Sequence, residues 1–196
     1  MPLILASSSR YRRALLERLQ LPFDTQAPDI DEHPRPGEAP LALARRLARE
    51  KAARVAADHP GALVIGSDQV AVFDGAPIGK PGSYEAAYQQ LSRFAGRTVS
   101  FETAVCVTDG RRQALEHVST ECEFLPLTPG QIEHYLRAEQ PFDTAGSAKA
   151  EALGIALMAR MRSDDPTAII GLPLITVCRL LRDFGLDPLQ PAAFQL

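Results

Sequence analysis

The sequence predicts an α/β fold built on a mixed β-sheet, and three observations predict it. Apolar Leu3-Ile4-Leu5-Ala6 passes through the turn Ser7-Ser8-Ser9 into the helical pattern Ala14-Leu15-Leu16-Glu17-Arg18-Leu19. A long helical stretch from Leu41 is followed by the buried-strand run Ala62-Leu63-Val64-Ile65-Gly66. Two long strand patterns, Thr98 to Thr108 and Gln113 to Phe124, flank Asp109-Gly110, a strong hairpin signal. Strand–helix units favour parallel neighbours, and the hairpin adds antiparallel ones, so the sheet is mixed.

Each element has its local reason. Leu3 to Ala6 predicts a strand and Ser9 to Leu19 a helix, with a short extended piece near Phe23. Residues 27–36, APDIDEHPRP, predict a loop, because proline fixes φ and removes a donor. Pro40 opens a helix from Leu41 to about Ala57, at the position where its missing N–H is no loss. Val70-Ala71-Val72-Phe73 extends the Ala62–Gly66 strand toward an Asp74-Gly75 turn. Ser83 caps a helix through Phe94, and Thr128 caps one from Pro129 to Ala138. Asp143 to Ser147 reads as a loop, and Leu172-Pro173-Leu174 leads into a last helix ending near Phe184-Gly185. No repeat or low-complexity linker interrupts the chain, so one domain over residues 1–196 is expected.

Composition excludes several classes. A net charge of −3 gives no global electrostatic case for nucleic acid, so any basic function is local. Cys106, Cys122 and Cys178 are odd in number and far apart, with neither a CxxC pair nor zinc spacing. Reduced thiols in a cytoplasmic protein are expected. The N-terminal apolar run is too short for a signal peptide, and no run approaches a membrane span. The four histidines are scattered and receive no role.

Several residues sit where packing alone does not ask for them. Arginines stand at positions 10, 12 and 13, in the first turn of a helix whose N-terminal end prefers anions. They suit a phosphate there, with serine hydroxyls and backbone N–H groups converging on it, or else an ordinary solvated basic end. Lys51 shares the apolar face of Ala44, Leu47, Ala48, Ala52 and Val55, so it either snorkels to water or reaches a buried anion. Asp68, in Gly66-Ser67-Asp68-Gln69, follows the buried strand, where α/β folds place ligand chemistry; the alternative is a turn cap. In Ile78-Gly79-Lys80-Pro81 the glycine allows close approach and Lys80 supplies a mobile charge, short of a full P-loop. Asp29, Asp31 and Glu32 form either a solvated acidic loop or, with Asp68, oxygen ligands for magnesium or manganese. No GxSxG elbow supports a serine nucleophile. Together these residues describe metal-assisted hydrolysis of a phosphoanhydride.

Read in order, the segments LASSSRYRRALL, DIDE, LAREKA, IGSDQV, GKP, AGSAKAEALGI and IIGLPL resemble the Maf family of nucleoside triphosphate pyrophosphatases. The resemblance spans Leu5 to Leu174. It implies an elongated mixed sheet flanked by helices, with two lobes around a central cleft, of the Maf and inosine triphosphatase kind. It implies hydrolysis between the α and β phosphates, a divalent metal cation (Mg2+ or Mn2+), a cytoplasmic setting and a homodimer. By this resemblance Asp68 is the proton acceptor or metal ligand, and Glu32 is the acidic position of the second motif, DIDE, and a metal ligand with Asp68. Ser7, Arg12, Arg13, Lys51 and Lys80 are the phosphate-binding positions. One departure is Arg10, which stands where the family commonly has proline; it receives no chemical role.

The resemblance also implies a base. Tyr11, Gln69 and Glu151 match the branch that hydrolyses 7-methyl-GTP, and differ from the dTTP/UTP branch at all three positions. The chemistry agrees: 7-methylguanine is cationic and suits an aromatic face such as Tyr11. Guanine N1–H and N2–H are adjacent donors that a carboxylate such as Glu151 accepts in parallel. The alternatives are that Tyr11 covers the helix start as ordinary packing and that Glu151 is a surface acid in a flexible loop. The competing functions are a dTTP/UTP pyrophosphatase and a non-enzymatic regulator of cell division.

Overall fold

Strand β1, Leu3–Ala6, is buried at every residue and is paired on both sides. It runs parallel to β2 (Asp24–Gln26) and to β3 (Leu63–Phe73). A strand covered on both faces needs an uninterrupted apolar run, which is why Leu-Ile-Leu-Ala was readable. The computed structural model describes residues 1–190; the final six residues of the expected 1–196 domain lie outside the described residues. The sheet has seven strands in the order β2-β1-β3-β5-β6-β7, with β4 (Ala76–Ile78) pairing β3 off that path. Strands β5 (Thr98–Thr108), β6 (Gln113–Phe124) and β7 (Met158–Ser163) are antiparallel to their neighbours. The sheet is therefore mixed. It is also long: β3 and β5 have 11 residues each and β6 has 12, which at about 3.3 Å per residue is roughly 35–40 Å.

Along one edge, β3 changes partner. Leu63 to Gly66 pair with β1, and Ala71 to Phe73 pair with β4. Between them Ser67-Asp68-Gln69-Val70 have no strand on that edge, while the other edge stays paired to β5 throughout. The strand is thus one continuous element rather than a strand plus an extension. A break of this kind in a sheet edge leaves a crevice on which the loops after β1 and β4 converge. The Asp74-Gly75 turn closes the β3–β4 hairpin with φ of 51° and 76°, the paired positive values that a two-residue hairpin of matching twist requires. Strand β4 was not legible in the sequence, being three residues long with a central proline.

Helices cover both faces of the sheet in the first lobe and one face in the second. In the first lobe α1 (Arg10–Glu17) and α5 (Leu174–Asp183) enclose Leu5, Leu63, Ile65 and Val105 on one face. On the opposite face α2 (Pro40–Asp58) packs Leu47, Ala48, Ala52 and Val55 on Ile4, Val64 and Ala104. The second lobe joins α3 (Tyr84–Phe94) and α4 (Pro129–Glu139) to Phe73, Phe101 and Phe124. Each side chain of this kind, when fully buried, contributes about 1.5–3 kcal/mol. Burial pushes the Cys106 and Cys122 thiols up to about 11 and about 12, so both are inert packing groups. Among the described residues no helix is long and apolar enough to cross a membrane.

Helix α2 rests almost directly on β3 because position 66 has no side chain. A Cβ on Gly66 would come within 2.6 Å of the Ala52 nitrogen and closer still to the Ala48 carbonyl oxygen. Both obstacles are backbone, which cannot rotate away. Gly66→Ala is therefore expected to lift α2 and destabilise the protein by about 2 kcal/mol or more, read as a lower urea midpoint with an unchanged slope.

Candidate active site

The crevice beside Ser67–Val70 is a cleft of about 790 Å³, within the range that holds a nucleotide-sized ligand. One wall is the turn from Ser7 to Arg12 after β1, and the other includes Gly79 and Lys80 after β4. Glu32 and Lys51 close it from the side of α2.

The turn after β1 is built by its serines. Ser9 caps α1, its Oγ accepting from the Arg12 N–H at 3.4 Å. Ser7 is buried, and its Oγ accepts from the Ser9 N–H at 3.1 Å. The first turn of α1 contains no acid, so its free N–H groups and its arginines present one positive field. The arginines then diverge. Arg12 lines the cleft, and its Nε donates to the Gly171 carbonyl at 2.8 Å. Burial pulls the Arg12 guanidinium below its ordinary pKa, against the opposing pull of Asp68 and Glu32. Arg13 points elsewhere: its Nε donates to Glu17 at 3.0 Å on the exposed side of the helix. Arg10, to which no role was given, lines the cleft instead. The placement follows helical geometry, since positions 12 and 13 are turned about 100° apart.

Lys51 reaches a buried anion rather than snorkelling. It is 4% exposed, with Nζ 2.7 Å from Asp68 Oδ1 and 3.0 Å from Glu32 Oε2. Side-chain alternation along β3 sends Gly66, Asp68 and Val70 toward α2, and Ser67 and Gln69 toward the 168–171 segment. Asp68 is therefore no turn cap; it lies within the strand and is 7% exposed.

The acidic trio does not gather. Asp31 turns to His33, its Oδ1 2.6 Å from Nδ1, and only Glu32 reaches Lys51. Among the described residues no group of three or more His, Cys, Asp or Glu is placed to hold a metal ion. The donor set that remains, Asp68 and Glu32, is two hard carboxylates facing one open cleft. That set fits magnesium or manganese, which commonly take one or two carboxylates and complete their shell with phosphate oxygens and water. It does not fit a dedicated all-protein cage.

Glu32 is held in place by a residue the sequence reading passed over. Arg46 is 6% exposed on α2 and grips Glu38 with Nε at 2.6 Å and Nη2 at 2.8 Å. It also donates to Glu50 at 3.0 Å and to the His33 carbonyl at 3.0 Å. This network fastens the 33–38 segment to α2 and so sets Glu32 over Lys51. Its only trace in the sequence was the i,i+4 spacing of Arg46 and Glu50.

The remaining candidates separate. Lys80 is exposed on the far wall. Tyr11 lines the cleft, its hydroxyl accepting from Arg10 Nη2 at 2.8 Å, and the Arg10 guanidinium carbon lies 4.8 Å from its ring centroid. Gln69 lines the cleft with its amide nitrogen bonded inward, to Thr103 and to the carbonyls of Ala168 and Ile169. Glu151 is exposed in a turn and does not line the cleft.

The Maf-like protein family matches residues 2–184 of this sequence. The chain belongs to the Maf family. This Maf protein is 64% identical over 188 residues to the "7-methyl-GTP pyrophosphatase" of Bordetella avium (strain 197N), covering 96% of this chain and 95% of that one. It is 56% identical over 184 residues to the protein of the same name from Ralstonia nicotianae (strain ATCC BAA-1114 / GMI1000), covering 93% and 95%. A solved HAM1 protein from Coxiella burnetii aligns with a TM-score of 0.47 and 19% identity over 65% of this chain and 74% of that one. That likeness is loose, and the fold of the Maf protein stands on its own strand order.

The network around Arg46 has a pH signature. The bond from Arg46, then that from the Arg35 N–H, holds the Glu38 carboxyl at about 2, below its ordinary 4.5. A depressed folded value means a contribution present above pH 4.5 and lost as pH falls toward 2. Glu38→Gln is expected to lower the melting temperature at pH 7, with the gap from wild type closing as pH approaches 2. A gap that stays constant across that range would show that the ion pair does not fasten the loop.

Proposed function

We propose that this Maf protein is a nucleoside triphosphate pyrophosphatase that hydrolyses 7-methyl-GTP to 7-methyl-GMP and pyrophosphate. The observation that carries the reading is Lys51 Nζ lying within hydrogen-bond reach of both Asp68 and Glu32 at the edge of a cleft walled by Arg12 and Lys80. That is a cationic cradle for phosphates with a carboxylate at its base, and the names of the relatives agree with it.

The chemistry asks little of the protein beyond position and charge. Arg12, already fixed through Nε, offers its η nitrogens to phosphate oxygens, and Lys80 meets them from the opposite wall. Ser7 and the free N–H groups of α1 add neutral donors. Asp68, oriented by Lys51, takes the proton of the attacking water. The water oxygen bonds to phosphorus as the bridging bond between the α and β phosphates breaks. The electron pair of that bond leaves with the departing pyrophosphate, which carries the β and γ phosphates. A divalent ion held by Asp68, Glu32 and the phosphates would neutralise the charge on the phosphate oxygens. Arg13 has no part, because it serves Glu17 outside the cleft. The Tyr11 ring already carries one cation, Arg10, on a face, and a 7-methylguanine ring is a cation of the same planar kind.

Two measurements test this. The first is pyrophosphate release from 7-methyl-GTP, GTP, dTTP, UTP and CTP with magnesium and with manganese. Asp68→Ala is expected to lose about 10²–10⁴-fold, the scale of a lost general base. A preference for dTTP or UTP would keep the chemistry and overturn the base assignment, and silence on every nucleotide would favour a non-enzymatic role. The second is Tyr11→Ala, expected to raise KM for 7-methyl-GTP more than for GTP; equal losses would remove Tyr11 from base selection.

A further inference from the structure

Gln69 lies on the open stretch of β3 and is paired in register with Thr103 of β5. Three acceptors surround its Nε2: Thr103 Oγ1 at 2.9 Å, the Ala168 carbonyl at 2.8 Å and the Ile169 carbonyl at 3.1 Å. The Thr103 hydroxyl spends its own hydrogen on the Ala168 carbonyl at 3.0 Å, so toward Gln69 it acts as an acceptor. The reversed amide would set Oε1 against two carbonyl oxygens, so the network decides the amide direction.

The other end of the amide follows. Gln69 Oε1 has no hydrogen-bond partner among the described residues. No buried side-chain nitrogen or oxygen among those residues lacks a partner, so this oxygen is accessible, on a residue that lines the cleft. What Gln69 offers the cleft is an acceptor.

Thr103 itself is fully buried in the strand, where a hydroxyl is a liability unless it is bonded. The carbonyls it works with are firmly set. Asp165, 1% exposed, accepts the Ile175 N–H at 2.7 Å and the Thr167 hydroxyl at 2.7 Å, fixing the turn from which Ala168 and Ile169 project. Gly171 in the same segment accepts from Arg12 Nε and Ser67 Oγ. Base side and phosphate side are thereby tied to one segment.

We propose that Thr103 is a positioning residue for base selection: with the Ala168 and Ile169 carbonyls it holds the Gln69 amide so that Oε1 faces the cleft and accepts an N–H donor from the Watson–Crick edge of a guanine base. This rests on the nucleotide reading above. It moves the acceptor that reads guanine from Glu151 to Gln69, and it assigns Thr103 a function without contact to substrate. In Thr103→Val the shape is kept but one of the three acceptors around Nε2 is lost; the two carbonyls still set the direction of the amide, which is held less firmly, and Oε1 is no longer fixed in its place at the cleft.

The test compares kcat and KM for 7-methyl-GTP, GTP and purine riboside triphosphate in wild type, Thr103→Val and Thr103→Ser. Purine riboside stacks like guanine but has no N–H donor on its base. Thr103→Val is expected to raise KM for the two guanine substrates by about three- to tenfold, up to the scale of one hydrogen bond. The donor-less substrate should stay within twofold, and Thr103→Ser should restore the wild-type ratio. Equal losses on all three substrates, or an unchanged ratio in Thr103→Val, would overturn the proposal. Calorimetric binding of 7-methyl-GMP and purine riboside monophosphate separates the two readings. If wild type binds both but hydrolyses nothing, the enzymatic reading fails, and the binding ratio in Thr103→Val still decides this proposal. Wild type that binds no guanine nucleotide overturns both.

Discussion

A buried ammonium between two carboxylates is the interaction on which the rest depends. Lys51 Nζ lies 2.7 Å from Asp68 and 3.0 Å from Glu32, in a side chain almost wholly removed from water. Burying a charge is unfavourable unless partners offset the lost hydration, and removing one partner leaves the others uncompensated. The three residues therefore hold each other. They come from a helix, a strand and a loop, so the triad also welds three elements together. It forms only because α2 lies flat on β3, and α2 lies flat only because Gly66 presents no Cβ to Ala48 and Ala52.

The sheet supplies the second constraint. A long strand that trades a parallel partner for an antiparallel one must leave a gap where the first ends and the second has not begun. In β3 that gap is Ser67–Val70, and the four residues inside it include both the candidate catalytic carboxylate and the candidate base reader. Alternation places Asp68 on the α2 side and Gln69 on the side of the 168–171 segment. The candidate groups for phosphate chemistry and for base selection thus sit on adjacent residues on opposite faces of one strand, without competing for space. The supporting networks follow the same division. Arg46 and Glu38 secure the acidic loop on the Asp68 side, and Asp165 secures the turn on the Gln69 side.

Arg10 occupies the first position of α1, where the resemblance leads one to expect proline. Where proline would hold φ at the helix start, a guanidinium instead reaches the Tyr11 ring and approaches Asp143 at 3.9 Å. The helix still begins there, because Ser9 supplies the cap that proline would otherwise assist. The cleft entrance gains a charge, on a side chain exposed enough to move aside for a ligand.

Sequence alone determined the parts governed by local rules. Apolar runs marked β1 and the first half of β3, the Asp109-Gly110 turn marked the β5–β6 hairpin, and capping residues marked α3 and α4 within a residue or so. Helical spacing put Lys51 on an apolar face, and the strand end drew attention to Asp68. What it could not decide depends on partners remote in the chain. Whether Lys51 snorkels or pairs turns on where β3 and the 29–38 loop meet α2. Which arginine faces the cleft turns on the rotation of α1 against Gly171, 159 residues away from Arg12. Strand β7 exists because β6 offers it an edge, since its own pattern is weak. The direction of the Gln69 amide is settled by two carbonyls about a hundred residues downstream, because a hydrogen bond is specified by the position of both its ends.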